Sequence, residues 1–308
     1  MSKDFNDLKT EYKNIFTSAE LTDMQTKWEN WKLKNSVTTI PETVEQLILA
    51  DIPDLVNIYD RFRNLPIPLT VIDSKGKNIR NPQFDSLDKI FKYKKKYDKK
   101  IANFFIEHAK DLGISTCHYC ELAYVNTYQI ISGHRAIMYQ HFDIDHYLPK
   151  SLCPILGVSM FNFVPSCQVC NSRIKLSKVI GDKKSEWLEF SPTSENYSFD
   201  QDVKIRLRMH RGPDTTFRKK HEYYIYFRCK NGFRKLIDFF HLEERYEFHK
   251  IEALRIRSLK TRYPKSARHK IASLLDIKEA QVKEDLFHEK YLKKNKRCFS
   301  KLTRDMLS

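Results

Sequence analysis

The 308-residue sequence predicts an α+β protein with three consecutive regions, a mostly helical one (1–112), a cysteine-bearing one (113–190) and a mixed, basic one (191–308). Three observations lead to this prediction. Apolar residues recur at helical spacing before residue 113, two Cys-x-x-Cys pairs lie in the middle region, and apolar and basic residues alternate after residue 200. With 41% hydrophobic and 31% charged residues, the composition supports a folded core and excludes wholesale disorder.

The N-terminal region is predicted to be helical from its apolar spacing. Over residues 87–105, apolar side chains recur mostly three or four positions apart, which predicts one helix with an apolar stripe. Ser86 is placed to cap its start and Gly113 to cap its end. The opposite face carries several lysines, Lys94 among them. These lysines either face solvent or contact nucleic acid.

Charge and glycine content limit the possible functions. Lys and Arg total 55 against 39 Asp and Glu, and the net charge of +16 favours a polyanionic partner, either nucleic acid or an anionic membrane surface. The seven glycines lie at least twenty positions apart, which excludes the glycine-rich loops of P-loop and Rossmann nucleotide sites.

The sequence gives no sign of a membrane segment. The uncharged stretch 151–172 contains two prolines and is predicted to be a buried loop and strand, not a membrane span. The N-terminus lacks the apolar run of a signal peptide, so we expect a cytoplasmic protein without disulfides.

The C-terminal region begins with a predicted β-hairpin. Residues 203–209 alternate between apolar and basic, which predicts a half-buried strand whose open face carries Lys204, Arg206 and Arg208. The aromatic run 223–229 is its expected partner, and places tyrosines on the same face. Basic groups interleaved with aromatic rings fit phosphate contact and base stacking, although a solvated sheet face would show a similar pattern. Helices are predicted from residue 235 onwards.

Two cysteine pairs predict a zinc site. Cys117 with Cys120 and Cys167 with Cys170 supply four thiolates, the ligand set that tetrahedral zinc accepts. A redox Cys-x-x-Cys would explain either pair alone but not both. Four cysteine ligands leave no open position for a substrate, so this zinc would be structural. The 46 residues between the pairs exceed the usual spacing and form an insertion.

The insertion carries residues suited to phosphodiester chemistry. Asp145 and His146 lie at a predicted strand end, Asn162 follows, and Asn171 comes directly after the second cysteine pair. The oxygens of Asp145 and Asn171 suit Mg²⁺ or Mn²⁺, while the imidazole of His146 could deprotonate a water. Asn162 could hold His146 in position through a hydrogen bond. Asp143 is either a further metal contact or a structural hydrogen-bonding group.

Two basic residues follow Asn171 on the same predicted helix. Lys175 lies one turn further on and could meet the scissile phosphate, with a solvated helix lysine as the alternative. We predict that Arg173 and Lys175 bind nucleic acid together with the basic strand of the C-terminal hairpin.

The middle region thus combines two cysteine pairs with Asp145-His146, Pro149, Asn162 and Asn171. This combination resembles the zinc-bearing HNH endonucleases over roughly a quarter of the chain. The resemblance implies a ββα-metal core in which His146 is the general base, Asn162 a positioning residue and Asn171 a metal ligand beside Asp145. Many members have a second histidine where this sequence has Asn171. Asn is an accepted variant at this position, as in the HNH domain of the CRISPR effector nuclease, whose motif spacing is similar. The implied reaction leaves 5′-phosphate and 3′-hydroxyl ends.

The leading prediction is therefore a metal-dependent DNA endonuclease, a phosphodiester hydrolase. The alternatives are an RNA-cleaving toxin with the same core, and a zinc-stabilised nucleic-acid-binding module without turnover. The core also resembles the HNH subunits of bacterial antiphage modules such as Septu-type systems, in which an ATPase partner controls cutting. That resemblance implies a defence effector that works with a separate ATPase or sensor subunit, docked on residues 1–112. Restriction and mobile-element endonucleases are the competing context.

Overall fold

The computed structural model describes residues 4–91, 93–133, 135–210, 222–229, 232–288 and 297–308. Helices and paired strands both occur, and the predicted α+β class is confirmed. Packing groups the chain into two units that interleave in sequence, Met1–Ile114 with Thr127–Tyr197 and Ser115–Asn126 with Ser198–Ser308. This grouping differs from three consecutive regions because residues 115–126 pack within the second unit, where Tyr119 stacks on Phe240.

Helices form most of the N-terminal half of the first unit. Their bounds are α1 (Phe5–Asn14), α2 (Ser18–Lys34), α3 (Val44–Leu49), α4 (Ile52–Arg63), α5 (Pro82–Phe91) and α6 (Asp98–Glu107). Capping boxes at Thr17 and Thr43 start α2 and α3 by satisfying free backbone N–H groups. The hydroxyl groups of Tyr12 and Ser159 tie α1 and α3 to the middle segment, by bonding to the carbonyls of Val158 (2.9 Å) and Leu47 (2.6 Å).

The prediction of a single helix over residues 87–105 is wrong. A π-helical turn, Tyr93–Tyr97, separates α5 from α6. Ser86 lies inside α5, and α6 ends at Glu107, well before Gly113. The reason is visible in the sequence, because the apolar spacing lapses over the lysine-rich run between Phe91 and Tyr97.

A short hairpin in this region was not anticipated. Strands β1 (Thr70–Ile72) and β2 (Asn78–Arg80) pair antiparallel around a turn in which Asp73 accepts two backbone N–H groups. Gly76 in this turn has a φ of +73°, a left-handed conformation that glycine adopts without strain. The β-branched residues before the turn and its Asp and Gly were the available signal.

The middle segment of the first unit holds two antiparallel strand pairs. Strand β3 (Thr127–Ser132) pairs with β4 (Arg135–Gln140), and β5 (Asp143–His146) pairs with β6 (Phe163–Ser166). Short 3₁₀ turns lie between β5 and β6, a π-helical segment (Val169–Lys175) follows β6, and helix α7 (Lys184–Glu189) comes next. The interior of the uncharged stretch is buried, as predicted. None of the described helices has the length and apolar character needed to cross a membrane.

The second unit contains the predicted C-terminal hairpin. Strands β7 (Val203–Met209) and β8 (Tyr223–Cys229) pair antiparallel, and Arg206 lies opposite Tyr226 as expected from the alternation. The described helices of this unit are α8 (Phe199–Asp202), α9 (Phe233–Phe239), α10 (Leu242–Phe248), α11 (Lys250–Arg262), α12 (Lys265–Leu274), α13 (Glu279–Phe287) and α14 (Ser300–Leu307).

Candidate functional site

One cavity of about 470 Å³ in the first unit gathers most of the predicted catalytic residues. Strand β5 supplies Asp145 and His146, and the π-helical segment supplies Asn171. The same cavity is lined by three cationic residues, namely Arg80, Lys94 and Lys150. Three of the four residues that the sequence predicts to be catalytic thus line one cavity, together with cations from other segments of the chain.

His146 is held in one orientation inside the site. Its side chain is buried, and its Nε2 lies 2.9 Å from the carbonyl oxygen of Gly157. A carbonyl oxygen only accepts hydrogen bonds, so Nε2 carries the hydrogen and Nδ1 is the basic nitrogen of the neutral ring. The ring packs edge-on against Tyr93 and Phe163. Burial, followed by the positive charge of Lys150, holds the pKa of His146 well below its ordinary value, which favours the neutral form.

Asp145 has a buried lysine as its counter-ion. The ammonium of Lys175 lies 3.0 Å from Oδ2 and 3.2 Å from Oδ1 of Asp145, and donates a 2.6 Å hydrogen bond to the carbonyl oxygen of His146. Lys175 is 0% exposed. Both interpretations of Lys175 from sequence, a nucleic-acid contact and a solvated lysine, are therefore wrong, because its ammonium is used inside the fold.

Asn171 is oriented by Asp143. The Asn171 side-chain amide donates a 3.0 Å hydrogen bond to Oδ2 of Asp143, which leaves its carbonyl oxygen as the unengaged end of the amide in this pair. The hydroxyl of Ser172 donates to the same carboxylate oxygen at 3.2 Å. Asp143 is thus the hydrogen-bonding group that one interpretation of the sequence anticipated.

Together these contacts cross-link β5 to the π-helical segment twice. The strand contributes Asp143 and Asp145, two residues apart and therefore on one face. The helical segment contributes Asn171 and Lys175, four residues apart. Each of the two oxygens predicted to hold a metal therefore belongs to a side chain that is fixed by a partner from the opposite element.

Asn162 organises the loop that follows His146. Its side-chain oxygen accepts from the Leu148 N–H at 2.7 Å, and its side-chain nitrogen donates to the carbonyls of Leu148 (2.9 Å) and Leu156 (3.0 Å). Its own carbonyl accepts from the N–H of Tyr147 at 2.8 Å. The prediction that Asn162 hydrogen-bonds to His146 is corrected accordingly. The side chain of Asn162 instead holds the loop that follows His146.

Asn162→Ala is expected to destabilise the protein by about 2–4 kcal/mol, since the fully buried side chain leaves three backbone groups without partners. Urea unfolding of the purified chain measures this loss. Asn196→Ala is the matched control, because the Asn196 side chain is exposed and its removal should change the free energy of unfolding by less than about 0.5 kcal/mol. Equal effects of the two changes would contradict a bracing role for Asn162.

The four predicted zinc ligands lie together. The sulfur atoms of Cys117, Cys120, Cys167 and Cys170 are all within 4.8 Å of one another, so this cluster could hold a metal ion such as zinc. Backbone N–H groups point at two of the sulfurs, from Leu122 to Cys120 at 3.4 Å and from Cys170 to Cys167 at 3.5 Å. Such bonds stabilise thiolates.

The basic residues predicted on the C-terminal hairpin are mostly engaged within the second unit. Lys204 donates to the carbonyl of Asp200 at 2.8 Å, and Arg206 donates to the carbonyl of Asp305 in α14. Arg208 is exposed, with its guanidinium 4.0 Å from the ring centroid of Tyr226. Arg173 and Arg208 are exposed and remain predicted nucleic-acid contacts. Helix α14 packs against β7 and covers part of the hairpin face that was expected to be open.

Sequence reasoning assigned no site role to Arg80 or Lys150. Arg80 ends β2, in the hairpin that was not predicted, so nothing in the sequence placed it beside the motif. Lys150 directly follows Pro149 of the motif, and this position was an available signal. Lys94 belongs to the lysine run that allowed either solvent or nucleic-acid contact.

No family model, curated protein or solved structure matches this chain.

Proposed function

We propose that this chain is a metal-dependent HNH-type endonuclease that hydrolyses DNA phosphodiester bonds. The observation that carries the proposal is the single cavity in which the neutral imidazole of His146, the oxygen-bearing side chains of Asp145 and Asn171, and three cations converge. A base, hard oxygen ligands and positive charge are the components that phosphodiester hydrolysis requires.

The order of the elements supports an HNH-type core. Two antiparallel strands, β5 and β6, are followed directly by a helical segment. Asp145 and His146 lie on the first strand, and Asn171 lies on that segment. The four-cysteine cluster supports the zinc-bearing variety of this core. Zinc held by four thiolates has no open coordination position, so its role would be structural.

His146 is suited to act as the general base. The Gly157 carbonyl holds the Nε2 hydrogen, so the lone pair of Nδ1 can take a proton from a water molecule. Tyr93 and Phe163 restrict the ring from two sides, which keeps this nitrogen in a fixed orientation. Burial lowers the pKa of His146 and so keeps the ring unprotonated, which leaves the Nδ1 lone pair free at neutral pH.

The side chains of Asp145 and Asn171 fit a divalent cation of the Mg²⁺ or Mn²⁺ type. One carboxylate and one amide oxygen are hard ligands, and a site with two protein ligands suits Mg²⁺, which retains several waters and binds phosphate oxygens. When bound, such an ion would neutralise charge on the phosphate and on the leaving oxygen. Lys175 and Asp143 keep the two side chains in place.

The test is cleavage of supercoiled plasmid DNA and of an RNA of matched length by the purified chain with Mg²⁺ or Mn²⁺. We expect DNA cutting that EDTA abolishes. Degradation of RNA alone would favour the toxin alternative. Binding of nucleic acid without cutting, with or without partner proteins, would favour the non-catalytic binding module.

We also propose an effector role in bacterial defence, with a separate ATPase or sensor subunit as the partner. The motif resemblance to Septu-type modules supports it, and the glycine spacing gives the chain no P-loop of its own. Purification of the native complex tests this proposal. A lone chain that cuts DNA without regulation in cells would argue against a controlling partner.

Asp143→Ala is expected to weaken Mn²⁺ binding by about tenfold, because Asn171 loses the partner that orients its amide. Titration calorimetry with Mn²⁺ measures the affinity independently of cleavage. Ser172→Ala is the matched control, since it removes the other hydrogen bond to the same carboxylate oxygen and leaves the Asn171 bond intact. If both variants bind Mn²⁺ like the parent protein, Asp143 does not position Asn171.

A further inference from the structure

Three cations line the candidate catalytic cavity beside the base and the oxygen ligands proposed for the metal. Arg80 lies at the end of β2, Lys94 in the π-helical turn between α5 and α6, and Lys150 in the loop after β5. They are far apart in sequence but come together beside Asp145, His146 and Asn171. Their convergence is therefore a product of the fold and not of one charged run.

The carboxylates that line the cavity already have cationic partners. Asp88 forms an ion pair with Arg80, and Asp145 forms one with Lys175. The Arg80 guanidinium also donates to the carbonyl of Ser151 at 3.3 Å, which fixes the arginine at the cavity wall. Both carboxylates therefore pair directly with another cation, and they attract Lys150 only from a longer distance.

Lys94 and Lys150 have no carboxylate partner among the residues that the structure describes. The Lys150 ammonium lies 5.0 Å from the ring centroid of Tyr93, the same ring that packs against His146. Burial lowers the pKa of Lys150, and repulsion from the nearby Lys94 charge lowers it further. The carboxylates of Asp145 and Asp88 attract Lys150 but do not offset burial and the charge of Lys94, so an anion that enters the cavity would stabilise the two ammonium groups.

We propose that Lys94, Lys150 and Arg80 form a phosphate subsite, which binds a backbone phosphate adjacent to the cleaved one. This inference rests on the proposed function, because it assigns the anion to the strand that His146 and Asp145 act upon. Lysine ammonium groups bind phosphate oxygens as point charges, and the remaining donors of Arg80 can add directional hydrogen bonds. These substrate-binding contacts come from the N-terminal half of the chain and are distinct from those predicted for the C-terminal basic strand.

The subsite makes a quantitative prediction about salt. Each phosphate that the protein neutralises contributes roughly 0.9 to the magnitude of the slope of log affinity against log salt for duplex DNA, and roughly 0.7 for a single strand. In a His146→Ala background, which prevents cutting, Lys94→Ala with Lys150→Ala should lower the magnitude of that slope by up to roughly 0.7–0.9, because one phosphate loses its lysine contacts. Lys99→Ala is the matched control, an exposed lysine in α6 that does not line the cavity.

The experiment measures fluorescence anisotropy of labelled duplex DNA, single-stranded DNA and single-stranded RNA over a series of salt concentrations. A second series replaces single backbone phosphates with neutral methylphosphonates. The His146→Ala parent should lose affinity when the phosphate at one particular position is replaced. The variant that also lacks Lys94 and Lys150 should lose no further affinity when that same phosphate is replaced. Lys94→Ala alone is included because Lys94 is exposed and its removal leaves the packing around His146 intact.

The outcomes separate the subsite from the proposed function. Suppose that the wild-type chain cuts nucleic acid, and that the double variant shows the same salt slope and the same loss of affinity on methylphosphonate replacement as Lys99→Ala. The subsite is then refuted, while the proposed nuclease activity stands. If the His146→Ala chain binds none of the three oligonucleotides and the wild type cuts none, both proposals fail. A selective fall in slope for the cavity variants establishes the subsite.

Discussion

His146→Ala is expected to abolish nucleic-acid cleavage, with a rate loss of roughly 10²–10⁴-fold. The change removes Nδ1, the only ring nitrogen left basic once Nε2 is bonded to the Gly157 carbonyl. Water would then have to lose its proton without a positioned acceptor. Single-turnover cleavage of plasmid with saturating Mg²⁺ measures this loss without interference from product release.

A control must separate catalysis from folding, because the His146 ring also packs against Tyr93 and Phe163. His141→Ala removes an exposed imidazole just before β5 and should leave the rate unchanged. Circular dichroism and thermal unfolding show whether the His146 variant remains folded. A folded His146→Ala chain that cuts as fast as the wild type would exclude His146 as the base.

Much of the local structure could be predicted because it depends on spacing alone. The period of two in β7 and β8 fixed which residues share a face, and the observed register places Arg206 opposite Tyr226. The cysteine spacing likewise placed four thiols in one cluster. Such patterns survive in any tertiary context because they reflect the geometry of strands and metal sites.

Other features could not be predicted because they depend on contacts between distant residues. The sequence around Lys175 reads as an exposed helix face, yet its ammonium is buried against Asp145, thirty residues away. Arg80 reaches the cavity only because β1 and β2 form a hairpin that positions it. Residue spacing carries no information on such pairings, and so the cations that complete the site were missed or misplaced.

Removal of the zinc that we propose for the four-cysteine cluster is expected to lower the melting temperature strongly. Four thiols within 4.8 Å of one another would repel as thiolates if no cation were bound between them. Structural zinc contributes about 10–16 kcal/mol of apparent binding free energy in zinc-finger peptides. Even a net loss of about 5 kcal/mol would lower the melting temperature by roughly 8 °C in a protein of this size, because the entropy of unfolding grows with chain length.

Cys120→Ser tests the same expectation without a chelator, because it removes one of the four ligands and should reduce both zinc content and melting temperature. Cys229→Ser is the matched control, since Cys229 is a half-buried thiol at the end of β8 and lies outside the cluster. Elemental analysis of the purified chain reports the zinc stoichiometry, expected to be one per chain. A chain that purifies without zinc and unfolds at the same temperature as Cys120→Ser would show that the cluster neither holds zinc nor stabilises the fold. The zinc-bearing assignment would then be lost, while the case for His146, which rests on separate residues, would remain.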